Sequence, residues 1–258
     1  MDLNENLTGH YNHKIAFENF VEILNNFQQK SQIFEFKNNY ETFSYGIHDR
    51  QKIDKFRAKG TSKGSIIFIH GGFWQAGGKN DYSYIAETLI NKDFDVYMVG
   101  YPLSPEYKID KINESIQSAL DFLTLDENLV KPVCLIGHSA GAHLAILSHQ
   151  HPLVQSIVAI SGLYYLEPLI ETVPDEKLFI NQLDYLNLSP GLTFSSLEKN
   201  IFICVGGNEL PEFIAQSVLA SEHWQLETSI IDNEDHFSIL DHLFTNTNLV
   251  TDFIDTSH

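Results

Sequence analysis

A serine hydroxyl becomes a nucleophile when a base takes its proton and backbone donors wait for the oxyanion that its attack creates. Three separated segments of this 258-residue chain carry the residue types for that chemistry. The first is Gly137-His138-Ser139-Ala140-Gly141, in which small residues flank the serine as a sharp strand-to-helix turn requires. A bare Gly-x-Ser-x-Gly arises by chance in roughly one random chain of this length in ten. Its setting therefore decides its value: the apolar run Val133–Ile136 leads directly into it and the helical pattern Ala142–Leu147 comes directly after. In the second segment, Ile66–Ile69 runs into His70-Gly71-Gly72-Phe73-Trp74, where glycines let the backbone approach a reacting oxygen. Gly72, Phe73 and Ala140 are the expected oxyanion donors. The third segment supplies the base, His236, in the polar stretch Asp232-Asn233-Glu234-Asp235-His236 after the run Thr228–Ile231.

The other histidines suit the base poorly. His149 and His151 close the helix that follows the serine, and His223 and His242 lie on helical surfaces, where solvated or capping roles are expected. A carboxylate is needed to fix the imidazole tautomer, and it should sit just past the run Ile201–Val205, in Gly206-Gly207-Asn208-Glu209-Leu210-Pro211-Glu212. Glu209 is the first choice; Glu212, one helical turn on, and Asp232 and Asp235 beside the base are the alternatives. The pairs His10/His13, His138/His143 and His149/His151 form neither a zincin helix nor a Cys/His finger, and no Gly-x-Gly-x-x-Gly follows a strand. No metal and no other cofactor is expected.

The elements that must position these groups can be read from periodicity. The apolar runs named above, with Val96–Val99 and Ile157–Ile160, alternate with helical patterns at about 81–92, 110–125, 140–149, 211–222 and from Ser238. Repeated strand-helix-strand units of this kind give a mostly parallel sheet with helices on both faces. With the serine turn, the glycine turn and the order serine, acid, histidine, the expected fold is the α/β-hydrolase fold, in one domain over 1–258. Residues 163–200 interrupt the rhythm with Tyr164, Tyr165, Pro168, Pro174, Pro190 and Gly191, and are expected to form a cap. In residues 1–30, Phe17, Phe20, Val21, Leu24 and Phe27 fall on one helical face, which fits a core helix and a lid equally.

With 34 acidic and 16 basic residues the formal charge is −18, which repels nucleic acid and anionic membranes. No apolar run reaches membrane-spanning length, and the N-terminus lacks the basic-then-apolar pattern of a secretory signal. A soluble cytoplasmic protein acting on a small molecule is expected, with homodimerisation left open. Cys134 and Cys204 each lie within a strand run and read as buried free thiols.

Taken together, His70-Gly71-Gly72-Phe73-Trp74-Gln75, Gly137-His138-Ser139-Ala140-Gly141-Ala142-His143-Leu144, Ser161-Gly162 with Leu166-Glu167-Pro168, Pro211-Glu212-Phe213 and Asp235-His236-Phe237 resemble the serine-dependent kynurenine formamidases, over roughly residues 43–245. The resemblance implies hydrolysis of N-formyl-L-kynurenine to L-kynurenine and formate, with Ser139, Glu209 and His236 as the triad. Glu209 stands where that family usually has aspartate, and Phe73 where it often has tyrosine. An apolar, partly aromatic pocket from Phe73, Trp74 and the 163–200 segment, with His70, Gly71, His138 and Tyr164, would take the aromatic leaving group, although Tyr164 and Tyr165 suit the core equally. Hormone-sensitive-lipase-type carboxylesterases share the glycine turn and the serine turn. A carboxylesterase of short-chain or aryl esters is therefore the alternative, and a non-catalytic binding protein on the same fold is the alternative from another class.

Overall fold

The computed structural model describes residues 18–170 and 183–257, together with Tyr11 and Leu178. These residues form an eight-stranded sheet: β1 Glu41–Ser44, β2 Lys52–Phe56, β3 Ser65–Ile69, β4 Asp95–Val99, β5 Val133–His138, β6 Ser156–Ile160, β7 Asn200–Gly206 and β8 Thr228–Ile231. The order across the sheet is β1-β2-β4-β3-β5-β6-β7-β8, with β3 to β8 mutually parallel and β1 and β2 antiparallel to their neighbours. This is the α/β-hydrolase arrangement, and β3 to β8 are the six runs read from the sequence. Alternate side chains of those strands enter two separate cores. Ile67, Ile69, Tyr97, Leu135 and Ile203 pack on one face, and Ile66, Phe68, Met98, Ile136 and Cys204 on the other. Covering both faces is why the runs show no polar alternation. Cys134 and Cys204 are free and buried.

The helices are α1 Phe20–Lys37, α2 Ala86–Asn91, α3 Ile109–Thr124, α4 Ala140–Leu147, α5 Glu167–Ile170, α6 Asp184–Leu188, α7 Pro190–Thr193, α8 Pro211–Trp224, α9 Ser238–Asp241 and α10 Leu249–Thr256. Helix α3 buries Ile109, Ile112, Ile116, Ala119, Leu120 and Leu123 against the first core, the i, i+3, i+7 stripe of an amphipathic helix. Helix α2 joins α1, α9 and α10 over the second core.

Two features differ from the sequence reading. Strands β1 and β2 escape it because β1 is an exposed edge and β2 carries charges. Asp54 and Lys55 are nevertheless buried in β2, Asp54 paired with Lys79 and Lys55 lying 4.9 Å over the Tyr97 ring and 3.6 Å from Asp126. Helix α1 runs past residue 30 to Lys37, and its buried side is Phe27, Ser31 and Phe34, while Val21 is 64% exposed. Burying each phenylalanine contributes about 2 kcal/mol, which rotates the helix toward Phe34 and leaves Val21 in solvent. Phe17 lies outside the described residues. Within 163–200, α5, α6 and α7 are described, and much of the stretch between α5 and α6 lies outside.

After β3 the chain forms β4 on one side and then crosses to place β5 on the other. Ligands of open α/β sheets gather at the carboxyl ends of strands where the order reverses in this way. The glycine turn leaves β3 and the serine turn leaves β5 at that point, side by side, because Ile69 pairs with Gly137. Among the described residues, no helix is long and apolar enough to cross a membrane.

Candidate active site

Ser139 occupies the turn between β5 and α4 with φ 56° and ψ −121°. Such a backbone costs a non-glycine residue about 1–3 kcal/mol and persists where its surroundings over-determine it. Here the Ser139 amide donates to the Ile160 carbonyl of β6 at 2.8 Å, and its carbonyl accepts from the amides of Ala142 at 2.9 Å and His143 at 3.2 Å. Ala140 opens α4, and the first N–H groups of a helix have no acceptor within it.

The glycine turn comes close to this serine. A Cβ built on Gly71 would lie 3.1 Å from the Ser139 Cβ and 3.0 Å from the His138 carbonyl, a tight fit that shows how closely the two turns approach. Gly72 has φ 114°, with Phe73 next at 54° and Trp74 at 58°, and the Gly72 carbonyl accepts from Gln75 and Ala76 at 3.0 and 2.9 Å. A side chain on Gly72 would be both strained at that φ and driven into the Ala76 carbonyl. Two residues absent from the sequence reading hold the turn. The Tyr101 hydroxyl donates to the His70 carbonyl at 2.7 Å and its ring stacks on His70 at 4.2 Å. Arg50 donates to the carbonyls of Tyr101, at 2.9 Å, and Gly77. No motif marks either residue, since each acts through a carbonyl of a distant loop.

His236 lies on the loop after β8, 2% exposed. Its Nδ1–H donates to Glu209 Oε2 at 2.7 Å, and its carbonyl accepts from His138 Nε2–H at 2.8 Å. The two histidine rings are 4.7 Å apart, which brings His236 beside the residue that precedes Ser139. With Nδ1 donating to the carboxylate, Nε2 keeps its lone pair, the tautomer a general base requires. Burial pushes the His236 imidazole down to about 3, and does the same to His138 and His70, so all three rings are neutral at pH 7. Glu209 is buried too; its Oε1 accepts from the Gly206 amide at 2.7 Å and from the Ser161 hydroxyl.

Two of the alternative acids have other partners and the third is exposed. Glu212 accepts from the Tyr11 hydroxyl at 3.3 Å, Asp235 accepts from the amides of Phe237 and Ser238 at 2.8 Å, and Asp232 is exposed. Of the remaining histidines, His149 donates to the Ile146 carbonyl at 3.0 Å at the end of α4, His151 meets Asp121, His223 meets the Phe194 carbonyl and His242 meets Glu234, each at 3.1 Å. Among the described residues no group of three or more His, Cys, Asp or Glu could hold a metal ion.

The expected pocket residues divide. Phe73 is half-buried at the turn. His70, Trp74, His138 and Tyr164 are buried. Trp74 packs edge-on against His143 at 5.1 Å, and Tyr164 against Trp224 at 5.6 Å. His143 Nε2–H donates to the Leu188 carbonyl at 2.7 Å, which ties the end of α6 to the helix that follows Ser139.

A sheet of this order, with a strained serine at the end of its fifth strand and a glycine turn beside it, defines a hydrolase of the α/β-hydrolase fold. Known proteins agree. A solved structure described as a putative thioesterase from Silicibacter superposes with a TM-score of 0.86 at 28% identity, covering 94% of this chain and 96% of that one. The BD-FAE family matches residues 53–157. The kynurenine formamidase of Salmo salar is 30% identical over 220 residues, 77% of this chain and 75% of its own length. That of Danio rerio is 29% identical over 227 residues, 80% and 78% of the two chains. The chain belongs to the kynurenine formamidase family.

Proposed function

We propose that this enzyme hydrolyses N-formyl-L-kynurenine to L-kynurenine and formate through an acyl-enzyme on Ser139. The observation that carries the catalytic part is the buried 2.7 Å bond between Glu209 Oε2 and His236 Nδ1, joined through His138 to the serine turn. Family membership carries the substrate. Ser139 Oγ attacks the formyl carbon while His236 Nε2 takes its proton. The carbonyl oxygen becomes an oxyanion facing the amides of Gly72, Phe73 and Ala140. As the tetrahedral intermediate collapses the C–N bond breaks, and the proton on His236 goes to the departing aryl amine nitrogen. Water then gives a proton to His236 and attacks the formyl ester. The Oγ–C bond breaks, serine regains its proton and formate leaves.

An acyl group as small as formyl needs little room at the serine, so binding energy comes from the aromatic amine. Phe73, on the half-buried part of the glycine turn, is a suitable contact for that ring. The test is to compare kcat/KM for N-formyl-L-kynurenine with values for p-nitrophenyl acetate and butyrate on the purified protein. The formamide should give the highest value. A clear preference for the esters would make the chain a carboxylesterase with the same machinery.

A further inference from the structure

Ser161 is the second buried serine with a positive φ at the end of a central strand, and the acyl-transfer steps leave it unused. It follows β6 directly, has φ 52°, and is fully buried. Its amide donates to the Cys204 carbonyl of β7 at 2.8 Å. That bond fixes the residue beside the end of β7, where the acid segment begins. A buried hydroxyl must find an acceptor, and the one that Ser161 Oγ meets is Glu209 Oε1. The Gly206 amide reaches the same oxygen at 2.7 Å, while the other oxygen, Oε2, receives His236 Nδ1–H.

We infer that Ser161 is a positioning residue that, with the Gly206 amide, clamps Oε1 of Glu209 so that Oε2 is held to the imidazole of His236. The inference rests on the assignment of Glu209 and His236 as acid and base of the proposed reaction. A glutamate has one more rotatable bond than an aspartate, so a carboxylate at this position has more ways to miss the imidazole. Two donors on one oxygen, from two different strand ends, remove that freedom. Both bonds are charge-assisted and of the stronger kind. The backbone strain at Ser161 has a matching rationale: it is retained where the chain turns to bring a hydroxyl to a carboxylate.

The experiment compares Ser161→Ala and Ser161→Gly with the unmodified enzyme, using kcat, KM and the full pH profile of kcat/KM. Both variants lose the hydroxyl, but only glycine relieves the positive φ, so glycine also guards against a variant that does not fold. Both should lose roughly 10- to 100-fold in kcat with KM little changed. The acid limb of the profile should move to higher pH. A carboxylate short of one donor is protonated more readily and, while ionised, holds imidazolium more strongly; either effect protonates the pair at higher pH. A residue that merely packs would scale the profile without moving its limb. Wild-type kcat and an unmoved acid limb in both variants would overturn the inference, as would loss in alanine with full activity in glycine, which would assign the effect to backbone strain. Ser139→Ala and His236→Ala run alongside separate the two levels. If they abolish turnover while the Ser161 variants do not lower it, the clamp alone fails; if either retains activity, the triad assignment fails and the clamp with it.

Discussion

Two strand ends in this sheet use one backbone device for different ends. Ser139 after β5 and Ser161 after β6 have φ values of 56° and 52°, and each amide donates at 2.8 Å to a carbonyl near the end of the neighbouring strand. The chain beyond each serine differs. Ser139 opens into α4, whose first amides face the turn, and it keeps 4% of its surface exposed. Ser161 leads into the irregular stretch before α5, is sealed from solvent, and gives its hydroxyl to Glu209. A positive φ thus aims a side chain off the end of a strand. At Ser161 the group met there is a carboxylate; at Ser139 the proposed reaction gives the hydroxyl's proton to His236, whose ring lies 4.7 Å from that of His138, the preceding residue.

The strongest way to break this comparison is to remove the proposed nucleophile or its proposed base. Ser139→Ala and His236→Ala should each lower kcat by roughly 10⁵- to 10⁶-fold, the range for nucleophile and base of a serine triad, measured by steady-state formamide or ester turnover. Near-normal turnover in Ser139→Ala would mean that the two serine turns are both structural.

The acid sharpens the contrast by a smaller step. Glu209→Ala should cost about 10⁴-fold, less than loss of the base, because the acid orients the imidazole and does not take its proton. Glu209→Asp should retain more activity than alanine yet stay below the native enzyme, since the shorter side chain cannot span Gly206 and Ser161 on one side and His236 on the other. Glu212→Ala, which removes the acceptor of the Tyr11 hydroxyl, should leave kcat within a few-fold. If Glu212→Ala proved the more damaging of the two alanine variants, the acid would be misassigned.

Legibility in the sequence divides along the same line. The Ser139 turn is readable because its strain leaves a local mark, small residues on both sides between an apolar run and a helix. The Ser161-Gly162 pair stands out only within a family resemblance, with no role attached. Its partner is 48 residues away, and a serine after a strand has no local signature. Strands β3 to β8 are legible because burial on both faces leaves unbroken apolar runs. β2 is hidden because Asp54 and Lys55 look like surface residues until Lys79, Asp126 and the Tyr97 ring come into view. The face of α1 is misleading for a related reason. Val21 fits the apolar period, but the core lies toward Phe34, and which way an amphipathic helix rolls is decided by its neighbours.

The smallest expected effect concerns stability, and it again distinguishes the two turns. The Ser139 turn is flanked in sequence by His138 and His143; the Ser161 turn has no histidine beside it. Burial pushes the His143 imidazole down to about 4, and its Nε2–H anchors the Leu188 carbonyl. A group whose folded pKa lies below its unfolded value of about 6.5 leaves the unfolded chain holding more protons between the two. Stability from the neutral ring is therefore complete above pH 6.5 and is lost as the pH falls toward 4. At pH 5.5 the loss from this one ring is about 1 kcal/mol, or about 3 °C in Tm for a chain of this size. His143→Gln, which keeps a donor for Leu188 but does not titrate, should melt with a smaller drop between pH 7 and pH 5.5 by that amount. An equal drop in both proteins would show that His143 takes up no proton differentially on unfolding, and the acid sensitivity of the serine turn would then have to lie in His138, His70 and His236.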